Sequence, residues 1–141
     1  MRFWDSSALV SLLVTDPHTA KLTALYREDP LVVAWWGTPV ECVSALARME
    51  REGKLDTYAL NDTARRLAEM QSVWQEIQPV AMLRELAMRL LRVHALHAAD
   101  SLQLAAAIIA SKNRPSVLGF VCLDARLVAA ARREGFNVLG G

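Results

Sequence analysis

Four acidic residues interrupt otherwise apolar stretches of the sequence, each at the expected end of a strand or start of a helix: Asp5, Glu41, Asp100 and Asp124. Asp5 and Asp124 directly follow apolar runs typical of buried strands, and Glu41 lies one turn into the helix after another such run. Asp100 lies in the first turn of an alanine-rich helix that we expect to pack on the same sheet. Because the carboxyl ends of parallel strands meet at one edge, we expect the four carboxylates to converge there.

The type of these side chains indicates the chemistry that such a cluster would perform. Taken singly, each acid is also explained by helix capping, which contributes ~0.5–2 kcal/mol. Several carboxylates within a few ångströms, however, repel one another and raise each other's pKa unless a cation neutralises them. An oxygen-only cluster selects a hard cation such as Mg²⁺ or Mn²⁺ and leaves coordination positions for phosphate oxygens. The cluster therefore predicts metal-assisted hydrolysis of phosphodiester bonds.

The elements that must position these acids alternate between strands and helices along the chain. We predict strands at 1–4, 31–35, 78–80, 117–123 and 136–139. We predict helices at 6–14, 19–28, 38–52, 81–94, 98–112 and 125–134, and a helical segment at 55–77 that is interrupted at Asn61 and Asp62. Such alternation predicts an α/β fold, with a parallel sheet covered by helices on both faces and joined by right-handed crossovers.

Length and composition limit the possible classes of protein. A chain of 141 residues, 53% hydrophobic and 22% charged, predicts a single globular domain that spans residues 1–141. The formal net charge of +1 excludes an argument from bulk attraction to nucleic acid, although residues 84–133 carry eight basic side chains and only three acidic ones. The glycines form neither a dinucleotide-binding fingerprint nor a phosphate-binding P-loop. Any site for a polyanion is therefore local.

The cysteines and the apolar runs predict where the protein acts. Only Cys42 and Cys122 are present, both within apolar stretches, so we expect no disulfide scaffold and a reduced environment. No uncharged apolar run reaches the ~18 residues that a membrane span requires. We therefore expect a cytoplasmic protein without a membrane partner.

Four motifs in order carry a resemblance to a known family. They read FWDSSAL at 3–9, TPVE at 38–41 followed by ALAR at 45–48, AADSLQLA at 98–105 and FVCLDARL at 120–127. Together they resemble the PIN-domain ribonucleases, and in particular the VapC-type toxins. The resemblance extends over essentially the whole chain and implies a PIN-like three-layer fold with a central parallel sheet.

The resemblance also implies roles for individual residues. The four acids would bind Mg²⁺ or Mn²⁺ and activate water to cleave RNA, and an antitoxin protein would inhibit the enzyme. Ser7 matches a small hydroxyl residue that supports the metal site, although capping explains it equally well. Arg48 lies seven residues after Glu41, ~10 Å along the same helix face. It is expected either to hold substrate phosphate, to pair with a carboxylate, or to be a solvated helix arginine.

One position departs from the family pattern. Many relatives have Thr or Ser two residues before the fourth acid, whereas this chain has Cys122. Because a thiol is a poor substitute for a hydroxyl in positioning water, we expect a weaker contribution from Asp124 than from the other acids.

Several alternatives stay open at this stage. A PIN fold could serve only to bind RNA or a protein, without catalysis. A zinc site at His94, His97 and Asp100 is disfavoured because no further ligand completes a tetrahedral set. The adjacent tryptophans Trp35 and Trp36 either stack on bases or belong to the core or to a subunit interface. The apolar helical surfaces at 55–77 favour a homodimer.

Overall fold

A computed structural model describes all 141 residues. Its centre is a sheet of five short parallel strands: β1 (Arg2–Trp4), β2 (Val32–Trp35), β3 (Gln75–Ile77), β4 (Gly119–Val121) and β5 (Asn137–Leu139). The strand order is β3-β2-β1-β4-β5. The first strand therefore lies in the middle of the sheet, and the residue that follows it lies at the centre of the carboxyl edge.

Seven α-helices cover the two faces of this sheet. They are α1 (Ser6–Leu13), α2 (Thr19–Glu28), α3 (Thr38–Arg51), α4 (Thr57–Gln71), α5 (Ala81–Val93), α6 (Ala98–Ala110) and α7 (Ala125–Arg133). One apolar core joins the sheet to α5, α6 and α7, and a second joins it to α1, α2, α3 and α4. The predicted three-layer α/β architecture is confirmed.

Alternation along the strands separates the two cores. Phe3 and Val33 lie opposite each other in register and contribute to the core under α5 and α6. Trp4 and Ala34 contribute to the core on the other face. Because helices cover both faces, the consecutive residues of the inner strand β2 are all apolar and buried, which is why this strand appears in the sequence as a continuous apolar run.

The predicted position of the third strand is wrong. The strand lies at Gln75–Ile77 instead of 78–80, and α4 ends at Gln71 after running without a break through Asn61 and Asp62. This strand is at the edge of the sheet and begins with polar residues, so it carries no apolar signal of its own. The polar pair in α4 does not interrupt the helix because Asn61 is exposed to solvent.

The fourth strand is shorter than predicted. Its bonded residues are Gly119–Val121, and a short 3₁₀ helix, Pro115–Val117, occupies the start of the predicted segment. The two residues that follow β4 nevertheless continue toward the site, since the Cys122 amide still donates to the Leu139 carbonyl at 3.1 Å.

None of the helices is individually long and apolar enough to cross a membrane. The pair formed by α5 and α6 meets the combined length and composition, with a bend of 119° between the two helices.

Candidate active site

Asp5 occupies the centre of the carboxyl edge of the sheet. It is 2% exposed and caps α1, with its Oδ1 accepting from the Ala8 amide at 3.0 Å. The Ser7 hydroxyl donates to both carboxylate oxygens, at 2.8 and 2.9 Å. The Ser7 oxygen in turn accepts from the amide of Leu123, at 3.2 Å, in the segment after β4. Ser7 thus ties the Asp5 carboxylate to two neighbouring elements, beyond the capping role that was its alternative explanation.

Cys122 contacts the first acid of the set and not the carboxylate of the fourth. Its Sγ lies 3.4 Å from Oδ2 of Asp5, and its only contact with Asp124 is to the backbone carbonyl, at 3.8 Å. Burial raises the pKa of the Cys122 thiol, so the sulfur keeps its proton and donates it toward Asp5. Cys122, which replaces the Thr or Ser of the family pattern, therefore affects the surroundings of Asp5. From the sequence we expected an effect on Asp124 instead.

Burial opposes the ionisation of Asp5. Desolvation raises the pKa of this carboxyl to about 6, although the hydrogen bonds from Ala8, Ser7 and Cys122 act in the opposite direction. The loss of solvation outweighs these bonds, and no basic side chain forms an ion pair with the group.

Glu41 projects from the first turns of α3 and is held by two donors. Its Oε1 accepts from the Ser6 hydroxyl at 3.1 Å, and its Oε2 accepts from the Gln103 amide nitrogen at 3.0 Å. Burial raises the pKa of this carboxyl to about 7, with further contributions from the nearby negative charges of Asp5 and Asp100. The electrostatic coupling between three carboxylates indicates that they share one region of the molecule.

Gln103 is a site residue that the sequence argument did not select. It is 1% exposed, and its amide nitrogen donates to the Thr38 hydroxyl as well as to Glu41, each at 3.0 Å. Its Oε1 has no hydrogen-bond partner in spite of being buried. The available signal was a polar residue one turn after Asp100 within an otherwise apolar helix.

Asp100 and Asp124 form the more exposed part of the cluster. Asp100 accepts from the His97 amide at 3.2 Å at the start of α6, and burial followed by the charge of Asp124 raises the pKa of its carboxyl. Asp124 is exposed and caps α7, with the Leu127 amide donating to it at 2.9 Å. Electrostatic coupling thus extends from Asp5 and Glu41 through Asp100 to Asp124.

The cluster carries negative charge that no neighbouring side chain neutralises through an ion pair. All ion pairs of the chain lie elsewhere and involve other acids. Arg126 and His97 contact each other at 2.8 Å, and their charges offset part of the rise in the pKa of Asp100. His94 contacts Glu134 at 2.7 Å, so the two histidines do not gather around Asp100 as a zinc site would require.

The donor set fits a hard cation in chemical type and in charge. It offers carboxylate oxygens whose repulsion a divalent ion would relieve. No group of three or more His, Cys, Asp or Glu side chains is arranged to hold one metal ion directly. Mg²⁺ is usually bound by one or two carboxylates, with water filling the remaining positions, so a direct set of three is not required.

A cleft of about 510 Å³ opens beside Glu41, between α1 and α3. Its lining includes Ser6, Ser7, Ser44 and Arg48. Arg48 is exposed and forms no ion pair, which excludes the predicted alternative of a carboxylate partner in this conformation. The cleft therefore extends along the face of α3 from the Glu41 carboxylate to the positively charged guanidinium of Arg48.

Comparisons with known proteins identify the fold. No protein-family model matches the sequence, and curated proteins yield no significant match. VapC20 of Mycobacterium tuberculosis, described as a toxin that cleaves the sarcin-ricin loop, has a TM-score of 0.69 and 19% identity, with 96% of each chain covered. FitAcB from Neisseria gonorrhoeae has a TM-score of 0.65 and 17% identity, with 98% of this chain and 96% of that chain covered. The PIN-like fold expected from the motifs is thereby confirmed.

Proposed function

We propose that this protein is a metal-dependent endoribonuclease of the VapC type, the toxin of a type II toxin–antitoxin pair that acts in the cytoplasm. The observation that carries the proposal is the coupled group of Asp5, Glu41 and Asp100, which lacks an ion-pair partner at the carboxyl edge of a PIN-like sheet. Carboxylates with only a structural role are rarely buried together without a partner, because each loses several kcal/mol of solvation free energy (~20 kcal/mol in the idealised limit). A site that binds a divalent cation explains this arrangement.

The proposed metal-binding residues are Asp5, Glu41, Asp100 and Asp124, and the proposed cofactor is Mg²⁺ or Mn²⁺. One or two of these carboxylates would ligate the ion directly, and the others would contact it through water. When bound, the ion would lower the pKa of an attacking water and neutralise charge on the scissile phosphate. Ser7 and Cys122 orient the Asp5 carboxylate, whereas Ser6 and Gln103 orient that of Glu41. Arg48 would hold a phosphate of the RNA strand in the cleft beside Glu41.

Hydrolysis of RNA by the purified protein tests the nuclease proposal. With Mg²⁺ or Mn²⁺ we expect internal cleavage of structured RNAs, inhibited by EDTA. Asp5→Asn, Glu41→Gln and Asp100→Asn should each lower the rate by about 100-fold or more, because each removes a ligand and leaves the fold intact. Asp124→Asn should be milder, because this carboxylate is exposed, whereas Asp5 is buried at the centre of the edge.

The controls separate catalysis from contamination and from simple binding. Cleavage that survives both Asp5→Asn and Asp100→Asn would come from another nuclease and would refute the mechanism. A protein that binds RNA without cutting it under any divalent cation would favour the non-catalytic PIN module. Several RNAs are needed, since a narrow preference would hide activity on a generic oligonucleotide.

The toxin assignment has its own test. Expression of the wild-type chain alone should arrest growth, and Asp5→Asn should relieve the arrest. A cognate antitoxin, expected to present a basic side chain to the acidic edge, should neutralise the wild type. Harmless expression of a protein that cleaves RNA well would refute the toxin role and leave the nuclease role intact.

We further propose that the protein forms a homodimer. Tyr58 and Val73, within the segment expected to dimerise, are each 81% exposed. Sedimentation over a range of protein concentrations measures the state directly, and a monomer at all concentrations would refute the dimer.

A further inference from the structure

Trp36 is the one tryptophan of the chain that is open to solvent. It is 51% exposed, whereas Trp4, Trp35 and Trp74 are at most 9% exposed. A half-exposed indole forgoes much of the stabilisation that burial of an aromatic side chain provides. The exposure of Trp36 therefore indicates that its ring contacts something other than the core.

The turn that carries Trp36 lies on the same sheet edge as the acidic cluster. Trp36 directly follows β2, and its amide donates to the carbonyl of Ile77, the last residue of β3, at 3.0 Å. Asp5 follows β1, the strand that pairs with β2 in parallel, and neighbouring strands are ~4.8 Å apart. Glu41 lies one helical turn beyond Gly37, whose carbonyl accepts from the Glu41 amide at 3.2 Å.

The orientation of Trp36 is supported from below by Trp35. The two rings pack edge to face, with centroids 6.3 Å apart and an interplanar angle of 66°. The buried Trp35 indole fills the space beneath the turn so closely that a Cβ at Gly37 would lie 2.5 Å from its Nε1. The turn is thus packed tightly on one side while the Trp36 ring projects half into solvent, as a preformed stacking surface requires.

We propose that Trp36 binds an unpaired nucleobase of the substrate by stacking, next to the phosphate that is cut. This inference rests on the proposed nuclease function and adds a requirement for single-stranded RNA at the site. Bases within a duplex are already stacked and do not offer a free face, whereas bases in loops do. Every base has a flat π-surface, so a tryptophan at this position accepts any of the four.

A basic side chain that can bind the RNA backbone lies on α5, the helix that follows the neighbouring strand. Helix α5 begins shortly after β3 at this edge, and Arg84 in its first turn is exposed and forms no ion pair. Proteins that bind single-stranded nucleic acid combine aromatic side chains, on which bases stack, with basic side chains that follow the backbone.

Fluorescence titration with RNA tests the proposal, since Trp36 is the indole that an added strand can reach. The titrations use the Asp5→Asn protein with Mg²⁺, which prevents cleavage, and compare a mixed-sequence single strand with a blunt duplex of equal length. We expect quenching by the single strand and little by the duplex. In the Asp5→Asn protein, the further substitution Trp36→Leu should weaken single-strand binding by about 5- to 150-fold. Trp36→Phe should retain most of the affinity while losing the quenching.

The matched control is Leu31→Ala, which also truncates an exposed apolar side chain. Leu31 is 65% exposed at the opposite, amino end of β2, ~16 Å along that strand from Trp36. Its replacement should leave RNA affinity unchanged, and urea midpoints of all variants should show that each is folded.

Three results would overturn the proposal. They are unchanged single-strand affinity in Trp36→Leu, an equal loss in Leu31→Ala, and failure of acrylamide to quench Trp36 in the free protein, which would mean that a second copy covers the ring. Cleavage by the wild type is measured separately. RNA binding that depends on Trp36 without any cleavage would refute the nuclease function and support the stacking site. Cleavage that is unchanged by replacement of Trp36 would support the nuclease function and refute the stacking site.

Discussion

The two carboxylates nearest the centre of the sheet edge are buried at a cost to stability, and this cost depends on pH. The pKa of Asp5 is raised to about 6 and that of Glu41 to about 7. The folded state holds these protons more tightly than the unfolded chain does. Protonation of the two carboxyl groups therefore stabilises the folded state fully below about pH 4, and this stabilisation is lost as the pH rises toward 7.

The free energy of unfolding of the metal-free protein should therefore fall between about pH 4 and pH 7. Asp5→Asn should flatten this decline by at most about 3 kcal/mol, since a tenfold change in proton affinity corresponds to ~1.4 kcal/mol. Urea unfolding at several pH values in EDTA measures the effect. Asp56→Asn is the matched control, because Asp56 also caps a helix but is exposed. An unchanged slope in Asp5→Asn would contradict the buried charge.

A second prediction at this scale concerns Gln103. Gln103→Leu removes the amide donor to Glu41, and outer partners of metal ligands typically contribute 10- to 100-fold in metal affinity or activity. We expect a loss of about 10-fold in Mn²⁺ affinity, measured by calorimetry. Gln71→Leu, at the exposed end of α4, serves as the control. Wild-type Mn²⁺ affinity in Gln103→Leu would show that Glu41 needs no orientation.

Among the elements, α3 is the one that links the acids to the cleft. It carries Glu41 in its first turns and Arg48 two turns later, and both line the same cleft. Gly37 precedes the first residue of this helix, and the packed indole of Trp35 leaves no room for a side chain there. The position of Glu41 is therefore determined by β2 and by the turn that follows it.

Replacement of the α3 arginine should affect substrate binding more than the chemical step. Arg48→Ala should raise KM several-fold with kcat nearly unchanged, because the carboxylates stay in place while one phosphate contact is lost. It should also reduce the dependence of RNA affinity on salt. Arg51→Ala, one turn further along and outside the cleft, should change neither quantity. A selective fall in kcat for Arg48→Ala would instead indicate a role in the reaction itself.

At the scale of the whole molecule, a bound divalent cation should couple the separate elements at the sheet edge. At ~100 times its dissociation constant, Mg²⁺ or Mn²⁺ should raise the free energy of unfolding by ~2.7 kcal/mol. Asp5→Asn and Asp100→Asn should each remove most of this increase, which calorimetric unfolding with and without the ion measures. Equal stabilisation of the wild type and both variants would refute a shared site.

Much of this architecture was predictable because it depends on local patterns. Helices begin at capping residues such as Asp5 and Asp124, and buried parallel strands are continuous apolar runs, so the α/β class and the approximate position of most elements followed from the sequence. The edge strand Gln75–Ile77 was misplaced because its identity comes from pairing with β2, and its own residues carry no strand pattern.

For the site, the sequence by itself determined which carboxylates follow strands or open helices, and hence that they share one edge of a parallel sheet. Only the tertiary structure decided their partners. The contact of Cys122 with Asp5 spans 117 positions, and that of Gln103 with Glu41 spans 62. Such contacts depend on the strand order, which sets β4 beside β1, and on the packing of α6 over the sheet. The raised pKa values follow from the same cause, because desolvation depends on what covers a residue in space and not on its neighbours in the chain.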